Sequence, residues 1–280
     1  MKYAKFTFSL FLITISLTSS AQTLKVITYN IRLDIASDGE NSWPLRKEYF
    51  TAQLKFYEPD IFGIQEALPN QVTDISNKLP AYSFIGIGRD GIGKGESSNI
   101  FFKKDRINLK TQGTFWLSET PDTISKGWDA ALNRVCTYGL FQDKKSKKFF
   151  LVFNTHLDHV GEVARTKSIQ LILSKIAALN TGKYPVILTG DFNSEPDTDR
   201  IIMLKKEMID CRDVSEEPPF GPSGTFNAFK HNEPVTRLID YIFISKGKKL
   251  LVKKYAVLSD SKDLKYPSDH LPVFVELVMK

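Results

Sequence analysis

The sequence predicts an α/β protein built from stacked sheets with helices packed on their outer faces. Three observations lead there. Short apolar runs rich in β-branched and aromatic residues, bounded by Gly, Pro, Asn and Asp, recur almost to the C-terminus. A few stretches with helical spacing separate them. No internal repeat, low-complexity tract or long Pro/Gly/Ser linker divides residues 22–280, so one domain is expected there. Many strands joined by a few long helices favour layered sheets covered by helices.

In chain order, the strand patterns are Lys25–Tyr29, Ile61–Gln65, Ser83–Ile87, Ser98–Phe102, Gly113–Leu117 and Cys136–Gln142, then Phe149–Asn154, Val186–Thr189, Leu238–Ile244, Leu251–Val257 and Val273–Leu277. The helical patterns are Trp43–Phe56, Asn70–Lys78, Val163–Leu179 and Thr198–Met208. The third is the clearest, with Ile169, Leu173, Ile176 and Ala177 expected on its buried face. Lys144–Lys148 falls between two strand patterns and reads as a solvated hairpin turn.

Residues 1–21 stand outside this scheme. Lys2 and Lys5 begin them, Phe6–Leu17 is apolar, and Ser19-Ser20-Ala21 offers a small-residue cleavage site. That is the layout of a secretory signal peptide cut at Ala21/Gln22. The apolar run is shorter than the roughly 20 residues a membrane span takes. The expectation is an exported monomer in the periplasm or outside the cell, without stable membrane insertion. Cleavage removes Lys2, Lys5 and no acid, lowering the formal net charge from +6 to +4. A mild positive balance suits an anionic substrate without demanding nucleic acid. Cys136 and Cys211 lie in no C-x-x-C or other thiol motif, which argues against thiol catalysis and zinc-thiolate sites. A disulfide formed in an oxidising compartment and two small buried thiols are both open readings, with the thiols favoured.

The functional signal is where the polar residues fall. Asn30 follows the run Val26–Tyr29, and Glu66 follows Ile61–Gln65. His156 and Asp158 follow Phe149–Asn154, and Asp191 and Asn193 follow Val186–Gly190. Asp240 sits within Leu238–Phe243, and Asp269-His270 precede Leu271–Phe274. Any one of these could be a turn residue, a helix cap or a satisfied core histidine. Polar groups beside apolar runs are costly unless paired or metal-bound, so together they imply strand ends converging on one polar pocket.

The residue types suit one chemistry. Oxygen donors from Glu66, Asp269 and the Asn30 amide suit Mg²⁺ or Mn²⁺, with Ca²⁺ also compatible, rather than zinc. Asp191 is placed to take a proton from water, and imidazoles can stabilise charge developing on a phosphoryl oxygen. Asp240 and His270 suit the pairing in which a carboxylate fixes an imidazole's tautomer and favours its cation.

Thr28–Arg32, Gln65-Glu66, Asn154–Asp158, Gly190–Asn193, Ile239–Tyr241 and Ser268–Pro272, in that order, resemble the motifs of the endonuclease/exonuclease/phosphatase superfamily. The resemblance spans residues 25–277 and implies a four-layer sandwich of two packed mixed β-sheets flanked by helices, as in deoxyribonuclease I. It implies Glu66 as the principal metal ligand, with Asn30 and Asp269 close to the metal. Asp191 becomes the water-activating base and Asn193 its positioning partner. His270, oriented by Asp240, contacts the scissile phosphate, and His156 matches the second histidine of the nuclease and sphingomyelinase branches. The chain also resembles a narrower exported bacterial subgroup through Asp38–Trp43 with Arg46, Phe115–Pro121, Trp128-Asp129 and Arg134. Trp128, Arg134, Asp158 and Arg165 are candidate substrate contacts on or beside these loops.

The expected function is hydrolysis of a phosphoester by direct attack of water at phosphorus, since no activated Ser or Cys accompanies the acids and histidines. A small polar, sugar or lipid-headgroup phosphoester is the favoured substrate, and a secreted nuclease acting on DNA or RNA is the alternative. Nucleic acid is disfavoured because the lysines gather on turns rather than among the catalytic motifs. A silent binding module fares worst, because each catalytic position is filled.

Overall fold

The computed structural model describes Met1, residues 23–247 and residues 249–280. The leader assigned to residues 1–21 lies, beyond Met1, outside them. No helix among the described residues is long and apolar enough to cross a membrane.

Two six-stranded sheets form the centre. The first holds β1 (Thr23–Asn30), β2 (Ile61–Gln65), β3 (Tyr82–Ile85), β4 (Ile100–Lys103), β11 (Leu250–Val257) and β12 (Val273–Met279), in the order β11-β12-β1-β2-β4-β3. The second holds β5 (Ile107–Trp116), β6 (Val135–Asp143), β7 (Phe149–His156), β8 (Val186–Asp191), β9 (Met208–Asp210) and β10 (Asp240–Ser245), in the order β5-β6-β7-β8-β10-β9. Leu24, Val26, Val273 and Val275 of the first sheet meet Phe150, Val152, Ile187 and Ile242 of the second in the central core. Helices α1 (Trp43–Tyr57) and α2 (Pro69–Lys78) cover the outer face of the first sheet through Trp43, Phe50 and Ile75. Helices α3 (Glu162–Leu179) and α4 (Asp199–Glu207) cover the second through Ile169, Ile172, Ile201 and Leu204. The expected four-layer sandwich is the observed one.

Strand direction concentrates the polar residues at one end. In each sheet a parallel pair lies near the centre: β1 beside β2, with Asn30 opposite Gln65, and β7 beside β8, with His156 opposite Asp191. Strands β12 and β10 run antiparallel to these, so their starts lie at the same end. Asp240 is the first residue of β10, directly across from Asp191, rather than inside a strand begun at Leu238.

A buried polar bridge ties the sheets together just below that end. Asn154 Nδ2 donates to Ile64 O and Asn99 O, both at 2.9 Å. Its Oδ1 accepts from Gln65 Nε2 at 2.7 Å and Thr189 Oγ1 at 3.0 Å. Gly63 makes room for it, since a Cβ there would lie 2.5 Å from Asn154 Oδ1. Buried donors and acceptors left without partners each cost about 1–3 kcal/mol. Asn154→Leu is therefore expected to lower unfolding free energy by roughly 3 kcal/mol or more, read from denaturant titration. A loss under about 1 kcal/mol would contradict the bridge.

Three elements differ from expectation. Strand β5 begins at Ile107, and its exposed Lys110, Thr111 and Gln112 carry no apolar alternation because β5 is a sheet edge. Met208, expected to end the fourth helix, instead begins the edge strand β9. The buried face of α3 is Ala164, Arg165, Ser168, Ile169 and Ile172, and Ala177 is exposed. Cys136 and Cys211 are both buried and free.

Candidate active site

The strand ends and their loops enclose a cleft of about 340 Å³ lined by Arg32, Glu66, Arg134, His156, Asp191, Asn193, Asp269 and His270, among others. Asn30 and Asp240 stand directly behind this lining. Asn30 Nδ2 donates to Glu66 Oε1 at 3.0 Å and Asp191 Oδ2 at 2.9 Å, while its Oδ1 accepts from the Arg32 backbone N–H at 3.0 Å. The amide therefore joins two carboxylates from different sheets. Glu66, with φ of 64°, turns the chain sharply after β2, and its Oε2 accepts from Leu33 N at 3.1 Å.

Asp191 is the hub. Its Oδ1 accepts from Asn193 N at 2.8 Å, and its Oδ2 lies 3.5 Å from His156 Nε2 and 3.8 Å from His270 Nε2. Burial and the Asp240 charge push its carboxyl up to about 7, against the pull of His270 and the Asn30 hydrogen bond. That range suits a group that exchanges a proton near neutrality.

The two histidines are set oppositely. His270 Nδ1 lies 2.8 Å from Asp240 Oδ2. Burial alone would lower its pKa, but the Asp240 charge and hydrogen bond outweigh that and raise it to about 10. His270 is therefore a cation with its Nε2–H toward Asp191. His156 Nδ1 lies 3.0 Å from Arg134 Nη1. Burial first, and then the Arg134 charge, lower its pKa well below the usual value. A guanidinium can only donate, so Nδ1 accepts and the neutral ring carries its proton on Nε2. That nitrogen lies 3.0 Å from Asn193 Nδ2, which donates to Leu157 O, and 3.5 Å from Asp191 Oδ2.

Of the candidate substrate contacts, only Arg134 lines the cleft. Asp158 is committed elsewhere: Oδ1 accepts from Ala131, Val160 and Gly161 backbone N–H groups, and Oδ2 faces Leu132 N and Arg134 Nε. Burial would raise its pKa, but those backbone donors hold it down to about 2. It pins two loops together. Arg165 donates to Asp158 O at 2.9 Å and pairs with Glu162, behind the same loops. Trp128 is not among the residues lining the cleft, and its backbone N–H donates to Glu119 at 3.2 Å. Arg46 likewise staples loops, donating to Ile31 O, Arg32 O, Asn41 O and Pro267 O.

Several lining residues had no role in the sequence reading: Arg32, Glu96, His159, Phe226 and Arg237. Arg32 was within reach, since it closes the motif that contains Asn30. Glu96, His159 and Arg237 stand close to strand patterns but in loops without a recognised motif, and Phe226 lies in a loop between them.

Carboxylates, an amide, one cationic histidine and one neutral histidine at one end of a two-sheet sandwich define a phosphoester-hydrolysing class of site. The chain belongs to the endonuclease/exonuclease/phosphatase family, whose model matches residues 27–270. It is 39% identical to a solved family protein from Bacteroides thetaiotaomicron, with a TM-score of 0.88 over 92% of this chain and 96% of that one. It is also 39% identical to a mannosyl-6-phosphatase from Bacteroides thetaiotaomicron VPI-5482, with a TM-score of 0.87 over 91% of this chain and 100% of that one. The human Nocturnin catalytic domain, 22% identical with a TM-score of 0.74 over 92% of this chain and 95% of that one, shares the fold. The chain spans between 18% and 60% of the length of the curated relatives it matches.

Proposed function

We propose that this protein is an exported, divalent-metal-dependent hydrolase of a small polar phosphoester, with a sugar phosphate as the favoured class. The observation that carries the reading is the chain Asp240–His270–Asp191 beside Glu66 and Asp269. It places a cationic donor and a carboxylate of near-neutral pKa in one cleft. In this account Asp191 accepts a proton from the attacking water, and Asn193 N–H and Asn30 Nδ2 hold its two oxygens in place. His270 donates to a phosphoryl oxygen as charge builds there. His156, neutral, offers a second donor through Nε2–H.

The donor set fits a hard cation. Each Glu66 oxygen accepts one protein hydrogen bond, which leaves further acceptor sites toward the cleft. Burial and the neighbouring Glu66 charge push the Asp269 carboxyl up, opposed by His270. Its nearest guanidinium, Arg32, lies 4.0 Å away and is already held by both oxygens of Asp38. Burial still outweighs the opposing His270, Arg32 and Arg46 charges, and a divalent ion beside Glu66 and Asp269 would relieve that cost. Glu66 and Asp269 would hold it, with Asn30 aligning Glu66. Asp191, Asp240 and His270 also offer donor atoms within 4.8 Å of one another. A cationic imidazole already bonded to Asp240 is the poorer ligand. When bound, the ion supplies positive charge to the phosphoryl oxygens.

Likeness to a mannosyl-6-phosphatase along nearly the whole chain supports the sugar-phosphate class. A compact cleft with an acidic residue, Glu96, in its wall supports it over nucleic acid. The test is phosphate release and strand cleavage by the purified chain with Mg²⁺ or Mn²⁺, against sugar phosphates, nucleotides, DNA, RNA and sphingomyelin. Turnover of a sugar phosphate well above the others is expected. Rapid degradation of DNA or RNA at physiological salt, with none of the sugar phosphates turned over, would overturn it.

A further inference from the structure

The cleft has a second wall that the reacting groups do not use. It is formed by Glu96, Leu132, Arg134 and His159, and a narrow extension past it reaches Arg89 and Asn133. Glu96 closes a glycine-rich loop that is firmly held. Arg89 N donates to Glu96 O at 2.8 Å, and Trp116 Nε1 donates to Arg89 O at 2.7 Å. Asn133 Nδ2 ties the loop to the opposite side through Asp90 Oδ1 at 2.9 Å. At Gly88 a Cβ would lie 1.9 Å from Lys94 O, so the turn admits only glycine there.

Glu96 is thus a preformed acceptor. Its side chain is 12% exposed, and Arg89 Nη2 faces Oε1 at 2.7 Å. Among the described residues no protein donor reaches Oε2, and Arg89 Nη1 is buried without an acceptor. Opposite in chemistry is His159. Arg134 Nη2 lies 3.1 Å from its Nδ1. Because the guanidinium only donates, the ring proton of His159 sits on Nε2, an outward donor on an exposed residue. One arginine fixes both His156 toward the reacting phosphate and His159 along the wall.

A carboxylate acceptor and an imidazole donor beside a phosphate-directed site suit a hydroxyl-bearing leaving group. They do not suit a second phosphate, which Glu96 would repel. We propose that Glu96 and His159 form a leaving-group subsite that reads the hydroxyls of a monosaccharide phosphoester, with Arg89 and Arg134 as its positioning residues. This rests on the phosphoesterase reading above.

The experiment compares kcat/KM for a hexose 6-phosphate with that for methyl phosphate, which has no hydroxyls, using the full chain supplied with Mg²⁺ or Mn²⁺. The wild type is expected to prefer the hexose phosphate. Glu96→Gln is expected to lower the ratio of the two by about tenfold, the scale of a hydrogen bond to a charged group, mainly through KM for the hexose. His159→Ala, at an exposed position, should lower the same ratio, and it carries the test if Glu96→Gln does not fold. A ratio unchanged in folded variants overturns the subsite. A wild type with no preference also overturns it and leaves the phosphoesterase reading standing. A wild type that hydrolyses neither compound overturns the subsite, and overturns the phosphoesterase reading with it only if nucleotides, DNA, RNA and sphingomyelin are also left intact.

Discussion

Asp191→Asn is expected to lower kcat by roughly 10²–10⁴-fold, the range a positioned general base contributes. The argument rests on what meets each oxygen. Asn193 N–H fixes Oδ1 and Asn30 Nδ2 fixes Oδ2, so the carboxylate has one orientation, and Oδ2 faces both histidines. An asparagine retains the shape but satisfies only one of those two donors, and it cannot accept a proton from water. The measurement is steady-state phosphate release by variant protein whose circular dichroism matches the wild type. A folded variant within a factor of about three of wild type would remove Asp191 from the chemistry.

His270→Ala is the second large effect, expected at about 10²–10³-fold in kcat, the scale of one lost donor to a developing oxyanion. His270 is buried, held as a cation by Asp240 at 2.8 Å, and reaches Asp191 through its other nitrogen. Such a group acts on charge that appears only as the bond to phosphorus changes. The loss should therefore fall on kcat rather than KM. Asp240→Asn should reproduce part of it, because an amide no longer holds the imidazole charged. A pure KM effect in His270→Ala would indicate ground-state binding instead.

Much of this was legible in the sequence, for a physical reason. Asn30, Glu66, His156, Asp191 and Asp269-His270 interrupt or end apolar strands, where an unpaired polar group is costly. A shared pocket is the economical arrangement for all of them, and the parallel pairs β1–β2 and β7–β8 bring them to one end. Residues whose role depends on groups distant in sequence were not legible. Asp158 looks like a free acid after a strand, yet it collects backbone N–H groups from Ala131 and Leu132 as well as its own loop. Asn154 reads as an ordinary strand residue until Gly63 and Thr189 are seen to surround it from neighbouring strands. The face of α3 was read only in part: Ile169, Leu173 and Ile176 pack inward as expected, but the buried polar Arg165 and Ser168 carry no apolar signal and Ala177 is exposed. The first half of edge strand β5 and the edge strand β9 escaped notice because an edge needs no alternation of apolar residues.

Arg134 changed most between sequence and structure. Its fork suggested a phosphate contact. Its buried guanidinium instead meets His156, His159 and Asp158 at once. It governs the site through the imidazoles it faces, while Arg32 and Arg237 remain as the other guanidinium groups lining the cleft.

The most direct test of the central claim is metal removal and restoration. Phosphate release from a hexose 6-phosphate should fall to background after exhaustive treatment with EDTA and return on adding Mg²⁺ or Mn²⁺. In Glu66→Gln the concentration of ion needed for half-maximal activity should rise by about tenfold or more. Full activity in stripped protein, with no response to added ion, would contradict the account.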